Sequence, residues 1–361
     1  MRHIRLLTIG LLLLTLFGCE TKSCDPPTDL HVGDGGVITP ESQGMSSQIL
    51  NLGLSQADGA GFIDGLLVIR NGFIVAERYF NGYDSSGTHN VMSVSKSFLS
   101  AITGLAFHEG YLDSLDQRVL PYFPEYVNPG MDQRKQSITI RHLLTMRMGL
   151  DHEQTNYFTL YNSDNWIAAT LAYPFVDAPG EEFHYNTFGT HLLSALITKA
   201  TGVSTRAFGE THLLEPLGIT VDNWQQDQQG YYFGGNSMHF TPREMAKFGL
   251  LYLNDGRRGS LQIVPSEWVS YTLSPSTDWD NSTWGPMTDI QYGGLWWLGR
   301  LNGQSAFMAI GHGGQFVISI PSLSMVVVST ADNNVDWETA DAQEQAVLEI
   351  ISTYVLGAVQ D

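Results

Sequence analysis

Two runs rich in β-branched and aromatic residues, 65–70 and 73–80, flank Asn71-Gly72. This arrangement constrains the fold more than any other feature of the chain, because Asn-Gly between two such runs is the strongest short-range signal for a β-hairpin. An isolated hairpin is at best marginally stable in water. We therefore expect other strands to extend it into a sheet and helices to cover that sheet.

The other predicted elements include the strands and helices that the hairpin needs. Helical patterns cover residues 44–57, most of 92–215 and 341–356, with proline and glycine breaks in the long middle block. Four late runs have the composition of strands: 291–300, 305–310, 316–320 and 325–330. The simplest closure pairs the early hairpin with these late strands in one antiparallel sheet.

The sequence therefore predicts an α+β fold with two lobes. An α/β lobe, in which helices flank an antiparallel sheet, is expected from about 44–90 and 235–361, and a mainly helical lobe from about 91–234. The hydrophobic fraction of 43% provides ample apolar material for a core. A small-molecule site is expected between the two lobes.

The first nineteen residues resemble an export signal. Two arginines precede an apolar run over 6–17, which is too short to span a bilayer as a helix. The run ends in Leu16-Phe17-Gly18-Cys19, which is similar to the bacterial lipobox, where a lipidated cysteine becomes the mature N-terminus. We expect a lipoprotein signal over 1–18 and a polar, proline-rich tether over 19–43. The alternatives are an ordinary cleaved signal and an uncleaved anchor.

Composition excludes several classes of partner. Acidic residues outnumber Lys and Arg 37 to 18, so the net charge of −19 argues against binding nucleic acid or anionic lipid through charge. The membrane contact that we expect is the lipid on Cys19 alone.

With Cys19 lipidated, Cys24 has no partner within the chain, and the 11 histidines form no zinc-type spacing. We therefore expect no disulfide and no metal.

The first motif that can carry chemistry is Ser93-Val94-Ser95-Lys96, which is followed by an apolar helical run. Residues three apart share one face of a helix, so Ser93 and Lys96 would meet. A serine hydroxyl needs an adjacent base, and a lysine serves as one only when burial or its neighbours lower its pKa. The alternative is a helix-capping serine followed by a lysine whose amine reaches solvent.

The second motif is Phe183-His184-Tyr185-Asn186-Thr187, at the start of an apolar helix. A tyrosine at such a junction can face a cleft. A nearby positive lysine would lower the pKa of Tyr185, so that its phenolate could take the serine proton and return it to the leaving group. The alternative is a core tyrosine with a satisfied hydroxyl.

The third motif, Gly311-His312-Gly313-Gly314-Gln315, leads into a predicted strand. Glycines allow the backbone to approach a ligand closely. A strand N–H opposite the N–H of the nucleophile would form an oxyanion hole. The alternative is a glycine-rich entry to a strand with no further role.

Taken in this order, the three motifs resemble the serine β-lactamase/penicillin-binding-protein superfamily, and in particular its class C-like hydrolase branch. The similarity covers about residues 44–356 and includes three further segments: 104–125, 140–150 and 240–249. The resemblance implies a β-lactamase/transpeptidase-like domain over 44–361 and a monomer that needs no cofactor.

The same resemblance implies roles for individual residues. Ser93 would be the acylated nucleophile, Lys96 its activating partner and Tyr185 the general base and acid. The N–H groups of Ser93 and Gln315 would hold the oxyanion. The residues implied at the oxyanion and substrate site are Ser93, Thr187, His312, Gly313, Gly314 and Gln315.

Two departures from the family pattern bear on the substrate. Thr187 stands where β-lactamases and peptidases of this branch have asparagine, and His312 stands where a lysine often opens the third motif. A mostly neutral histidine binds the carboxylate of a β-lactam less well than a lysine does. At both positions the sequence resembles the branch's esterases and amide hydrolases, including the 6-aminohexanoate oligomer hydrolases.

We therefore expect an exported serine hydrolase that acts on a small ester or amide. The alternatives are a D,D-peptidase or β-lactamase of the same fold, and a non-catalytic binding or sensor lipoprotein. The last would predict loss of Ser93, Lys96 or Tyr185, and all three are present.

Overall fold

The computed structural model describes residues 37–278 and 283–360. The predicted signal segment, the lipid site at Cys19 and most of the tether lie outside the described residues. Within the described ranges, no helix has the length and hydropathy needed to cross a bilayer.

The described part of the chain contains helices and strands that we number in chain order. The α-helices are α1 Ser47–Ala60, α2 Val94–His108, α3 Ile140–Leu144, α4 Glu153–Tyr161, α5 Trp166–Ala172, α6 Thr187–Thr201, α7 Thr205–Gly209, α8 Glu215–Leu217, α9 Pro242–Leu253, α10 Ser266–Thr272 and α11 Trp337–Ile350. The strands are β1 Ile63–Arg70, β2 Phe73–Tyr79, β3 His89–Asn90, β4 His239–Phe240, β5 Arg257–Arg258, β6 Leu261–Gln262, β7 Thr277–Asp278, β8 Thr283–Trp284, β9 Met287–Tyr292, β10 Trp297–Leu301, β11 Gln304–Gly311, β12 Gln315–Ile320 and β13 Met325–Ala331.

One antiparallel sheet dominates the described residues. Its strands lie in the order β2-β1-β13-β12-β11-β10-β9-β7, with β8 paired to β9. The first and last parts of the chain meet where β1 pairs with β13, in a register that runs from Ile63 opposite Ala331 to Arg70 opposite Met325. The predicted sheet, which joins the early hairpin to the late strands, is confirmed.

The predicted hairpin is also confirmed, and its turn explains its position. Asn71 and Gly72 have φ angles of 52° and 77°, the positive values that a tight hairpin turn requires. Arg70 therefore pairs directly with Phe73 across the turn.

The prediction of a single strand over 291–300 is wrong, because the chain turns between β9 and β10. Leu295 has a φ of 63°, and the Gly294 N–H donates to the Thr272 carbonyl at 2.9 Å. A Cβ on Gly293 would lie 2.1 Å from that same carbonyl oxygen, so only glycine fits. The other three late strands are confirmed to within one residue at each end.

The sheet is the middle layer of the fold. Successive side chains of β13 point to opposite faces. Met325 and Val327 pack with α1 and α11, whereas Val326 and Val328 join the cluster formed by α9 and the helices of the middle block. On this second face α2 packs against β11, and this contact places the start of α2 at the end of that strand.

Candidate active site

Ser93 lies at the junction between a strained turn and helix α2. Met92 has a φ of 50°, which is unusual for a residue with a side chain, and Ser93 is the residue before the first residue of α2. The Met92 N–H donates to Asn90 Oδ1 at 3.0 Å, which holds the turn. The first turn of α2 then brings Lys96 to the same face as Ser93.

Lys96 is buried against the nucleophile candidate. Its side chain is 1% exposed, and Nζ lies 2.6 Å from Ser93 Oγ. Nζ also donates to Thr187 Oγ1 at 2.9 Å and to the Gly235 carbonyl at 3.0 Å. Burial lowers the pKa of Lys96 to about 8, which brings a neutral amine within reach near physiological pH.

Behind Thr187 lies Glu153, the first residue of α4. Glu153 is 4% exposed, and its Oε2 accepts the Thr187 N–H at 3.1 Å and also the Thr187 hydroxyl. The Glu153 N–H donates to the Tyr185 carbonyl at 3.0 Å, so the start of α4 is fixed to the second motif. A chain of hydrogen bonds thus runs from Glu153 through Thr187 to Lys96.

Tyr185 reaches the same cluster from the loop before α6. Its ring lies 4.8 Å from Lys96 Nζ, and its side chain lines the same cavity as Ser93. The ring stacks on Trp297 with 5.6 Å between centroids. The predicted fall in the pKa of Tyr185 is wrong: burial raises it well above 10, and Glu153 raises it further. Tyr185 is therefore a protonated phenol.

The third motif packs directly against the Ser93 turn. A Cβ on Gly311 would lie 2.3 Å from the Val91 carbonyl oxygen, so the last residue of β11 has to be glycine for the two segments to meet. The His312 ring follows, with Nε2 at 2.9 Å from the Val335 carbonyl, and it lines the same cavity as Ser93.

The remaining residues of this motif shape the turn. Gly313 and Gly314 have φ angles of 84° and 107°. The Gly313 N–H donates to Glu344 Oε1 at 2.9 Å, and the Gly314 N–H is directed at the Gly311 carbonyl at 3.3 Å. The buried Gln315 side chain bonds to the backbone of Ala331, so only its main chain remains for a substrate.

A cavity of about 300 Å³ opens over Ser93. Aromatic side chains form much of its wall: Tyr185, Trp284, Trp297 and Trp337. Carboxyl groups contribute as well: Glu153, Asp341 and Glu344. The described residues that line this cavity include no lysine or arginine. Burial raises the pKa of Glu344 to about 8.

Sequence reasoning missed Glu153 and Glu344. Glu153 has the signature of an ordinary acidic residue in the first turn of a helix, and Glu344 that of a surface position on the closing helix. Neither carries a local signal that it reaches the Ser93 site. In residues 37–278 and 283–360, no group of three or more His, Cys, Asp or Glu side chains is placed to hold a metal ion.

The sheet between helical layers and the Ser93–Lys96–Tyr185 cluster define a serine hydrolase of the β-lactamase/transpeptidase fold. A model of the beta-lactamase family matches residues 56–349, and the chain therefore belongs to that family. It is 25% identical over 300 residues to the 6-aminohexanoate-dimer hydrolase of Paenarthrobacter ureafaciens, a match that covers 78% of this chain and 74% of the relative.

Solved structures share the fold. The octameric penicillin-binding protein homologue from Pyrococcus abyssi has a TM-score of 0.66 and 19% identity, covering 86% of this chain and 77% of that one. A D-stereospecific amidohydrolase from Streptomyces sp. has a TM-score of 0.66 and 15% identity, covering 85% and 99%. The superfamily and the fold class indicated by the three motifs are thereby confirmed.

Proposed function

We propose that this chain hydrolyses a small ester or amide through an acyl-enzyme on Ser93. The observation that carries the proposal is the 2.6 Å contact between Ser93 Oγ and the buried amine of Lys96, at the wall of a cavity of about 300 Å³. A buried lysine with a lowered pKa, bonded to a serine hydroxyl, supplies the adjacent base that a serine nucleophile requires.

The steps follow from the protonation states. Neutral Lys96 accepts the Ser93 proton while Oγ attacks the substrate carbonyl carbon. The N–H groups of Ser93 and Gln315 are the proposed donors to the oxyanion. Tyr185, a protonated phenol beside Ser93, gives its proton to the leaving group and recovers one from Lys96. Water then adds to the acyl carbon and releases Ser93 and the acid.

The lining of the cavity favours an ester or a linear amide over a β-lactam or a D-Ala-D-Ala peptide, in which a carboxylate lies one carbon from the scissile amide nitrogen. His312 is bonded to a backbone carbonyl, and Asp341 and Glu344 lie nearby without a lysine or arginine in the lining. A carboxylate next to the scissile bond would find no lysine or arginine among the described lining residues to pair with. The relative named as a 6-aminohexanoate-dimer hydrolase supports a linear amide as substrate.

Covalent labelling tests the proposal. A fluorophosphonate probe should modify the folded protein on the peptide that contains Ser93, and Ser93→Ala should abolish the adduct. Ser97→Ala is the matched control, because this buried hydroxyl on the same helix donates to the Leu295 carbonyl and does not contact Lys96. A folded wild-type protein that takes no label would contradict the proposal and favour a binding or sensor lipoprotein.

A substrate panel distinguishes the subclass. We expect hydrolysis of a p-nitrophenyl ester or a linear aminohexanoate dimer to exceed that of a chromogenic cephalosporin and of a D-Ala-D-Ala peptide. Faster turnover of the cephalosporin or the peptide would reassign the chain as a β-lactamase or a D,D-peptidase.

Export and lipid attachment at Cys19 are part of the proposal, supported by the apolar run and the lipobox-like ending. Mass spectrometry of the native protein should find diacylglycerol on Cys19, and Cys19→Ser should release the protein from membranes. Cys24→Ser, the other cysteine of the chain, is the control and should stay membrane-bound. A mature N-terminus at any other residue would contradict this part.

A further inference from the structure

The partners of the Lys96 amine determine which atoms donate and which atoms accept in its hydrogen bonds. The single proton of the Thr187 hydroxyl is directed to Glu153 Oε2, so Thr187 Oγ1 can only accept a hydrogen bond from Lys96. The Gly235 carbonyl, 3.0 Å from Nζ, can also only accept. A neutral amine has two N–H donors, and these two acceptors use both. Its lone pair is then left facing Ser93 Oγ.

From this geometry we propose that Glu153 is a positioning residue: through Thr187 it orients the Lys96 amine so that its lone pair meets the Ser93 proton. The inference rests on the proposed acyl-enzyme function. It also explains how threonine can serve where β-lactamases and peptidases of this branch have asparagine, since the bond to Glu153 keeps the Thr187 hydroxyl proton directed away from Lys96. Among the described residues, the side-chain hydrogen bonds of Glu153 go to Thr187 and not to Ser93.

Glu153 acts on Lys96 by charge as well. Burial lowers the pKa of Lys96, and the Glu153 carboxylate offsets part of that effect. Among the described residues, Tyr185 also faces Lys96, with its ring over the amine. Tyr292 on β9 and Glu344 on α11 interact with Tyr185 in turn. Removing the Glu153 charge should therefore lower the pKa of Lys96.

The chain contains a second glutamate that receives the same two hydrogen bonds from a threonine. At the start of α9, Glu244 Oε2 accepts the Thr241 N–H at 2.9 Å and the Thr241 hydroxyl at 2.9 Å. There the hydroxyl oxygen accepts the Glu244 N–H, so the pair is a capping box, and no described hydrogen bond joins a lysine amine to the Thr241 hydroxyl. Glu244→Gln is thus a matched control for Glu153→Gln.

The test is the pH dependence of the rate of Ser93 labelling by the fluorophosphonate. Glu153→Gln keeps an oxygen that accepts both Thr187 bonds but removes the charge. We expect its plateau rate to stay within about threefold of wild type and its acidic limb to move roughly one unit to lower pH. Glu244→Gln should leave the limb where wild type has it.

Thr187 variants test orientation separately from charge. Thr187→Val removes the acceptor for Lys96, and we expect the plateau rate to fall about 10²-fold. Thr187→Ser restores the hydroxyl and should recover a rate within about threefold of wild type. If Thr187→Val does not fold, Glu153→Ala replaces it, because that change removes the acceptor of both Thr187 bonds and should also lower the plateau rate.

A wild-type plateau rate in Thr187→Val or in Glu153→Ala would overturn the positioning role while leaving labelling of wild-type Ser93, and hence the proposed function, intact. An unchanged limb in Glu153→Gln would overturn the effect of the Glu153 charge on Lys96. Failure of wild-type protein to react at all would remove the proposed function and the inference together.

Discussion

Two lysines are buried in the part of the chain that the structure describes, and they differ in what their amines contact. Lys96 is 1% exposed and Lys135 is 2% exposed. Each amine lies 4.8 Å from the centroid of an aromatic ring, that of Tyr185 or of Phe175, and burial lowers both pKa values.

Lys135 donates to the carbonyls of Leu171 at 2.7 Å and Tyr173 at 2.6 Å, which satisfies acceptors left at the end of α5. Lys96 instead contacts a serine hydroxyl, which can give up a proton. Burial and a lowered pKa are therefore common to a structural lysine and a catalytic candidate. Lys96 differs from Lys135 in that a proton donor, the Ser93 hydroxyl, lies beside its amine.

Lys96→Met should have the largest effect, because it removes the amine beside Ser93 altogether. Without the amine, Ser93 has no base, and we expect hydrolysis of a p-nitrophenyl ester to fall roughly 10³-fold. Thermal unfolding should still show a cooperative transition at a lowered temperature, because methionine fills the space but the Thr187 hydroxyl and the Gly235 carbonyl lose their donor. Activity within tenfold of wild type would refute the assignment of the base.

Tyr185→Phe makes the ring over Lys96 resemble the Phe175 ring over Lys135. The stacking on Trp297 is kept and the hydroxyl beside Ser93 is lost. We expect the turnover number to drop about 10²-fold, since the leaving group loses its proton donor. An ester with a p-nitrophenolate leaving group should be affected less than an amide, and equal losses for both would contradict the role of Tyr185 as acid.

The pH dependence of acylation should report Lys96, and the same profile in Glu344→Gln separates it from Glu344, a cavity group whose pKa burial raises to about 8. Its unprotonated form is active, so the rate rises as pH increases through the Lys96 pKa of about 8. Between pH 7 and pH 8 the increase should be about fivefold, with a plateau above pH 9. A rate that falls over this interval would show that Lys96 is not the base.

The smallest expected effect on activity belongs to Lys135→Met. The Leu171 and Tyr173 carbonyls lose their donor, and urea denaturation should show a stability loss of about 2 kcal/mol. The turnover number should stay within about twofold of wild type. A large loss of activity at unchanged stability would remove the distinction between the two lysines.

Local signals in the sequence were sufficient for part of this structure. The hairpin at Asn71-Gly72 follows from the φ preferences of two residues, and the late strands from the composition of short runs. The chain reversal at Gly293 depended on contact with the end of α10, which lies elsewhere in the sequence.

In the active site, too, some properties follow from local sequence and others depend on residues that are distant in the chain. Ser93 and Lys96 share a helix turn, so their contact is a local consequence of spacing. The pKa of Tyr185 depends on burial by side chains such as Trp297 and Tyr292, which arrive from distant strands, and the expectation from charge alone had the wrong sign. The burial of Lys135 had no signal in its polar local sequence.

The most direct test is to trap the acyl-enzyme. The protein is mixed with p-nitrophenyl trimethylacetate, whose bulky acyl group slows hydrolysis of the intermediate, then quenched in acid, digested and analysed by mass spectrometry. We predict one acyl group per chain on the peptide that contains Ser93, with a matching burst of nitrophenol. An acyl group on another residue, or nitrophenol release without any acyl group on the chain, would contradict the account.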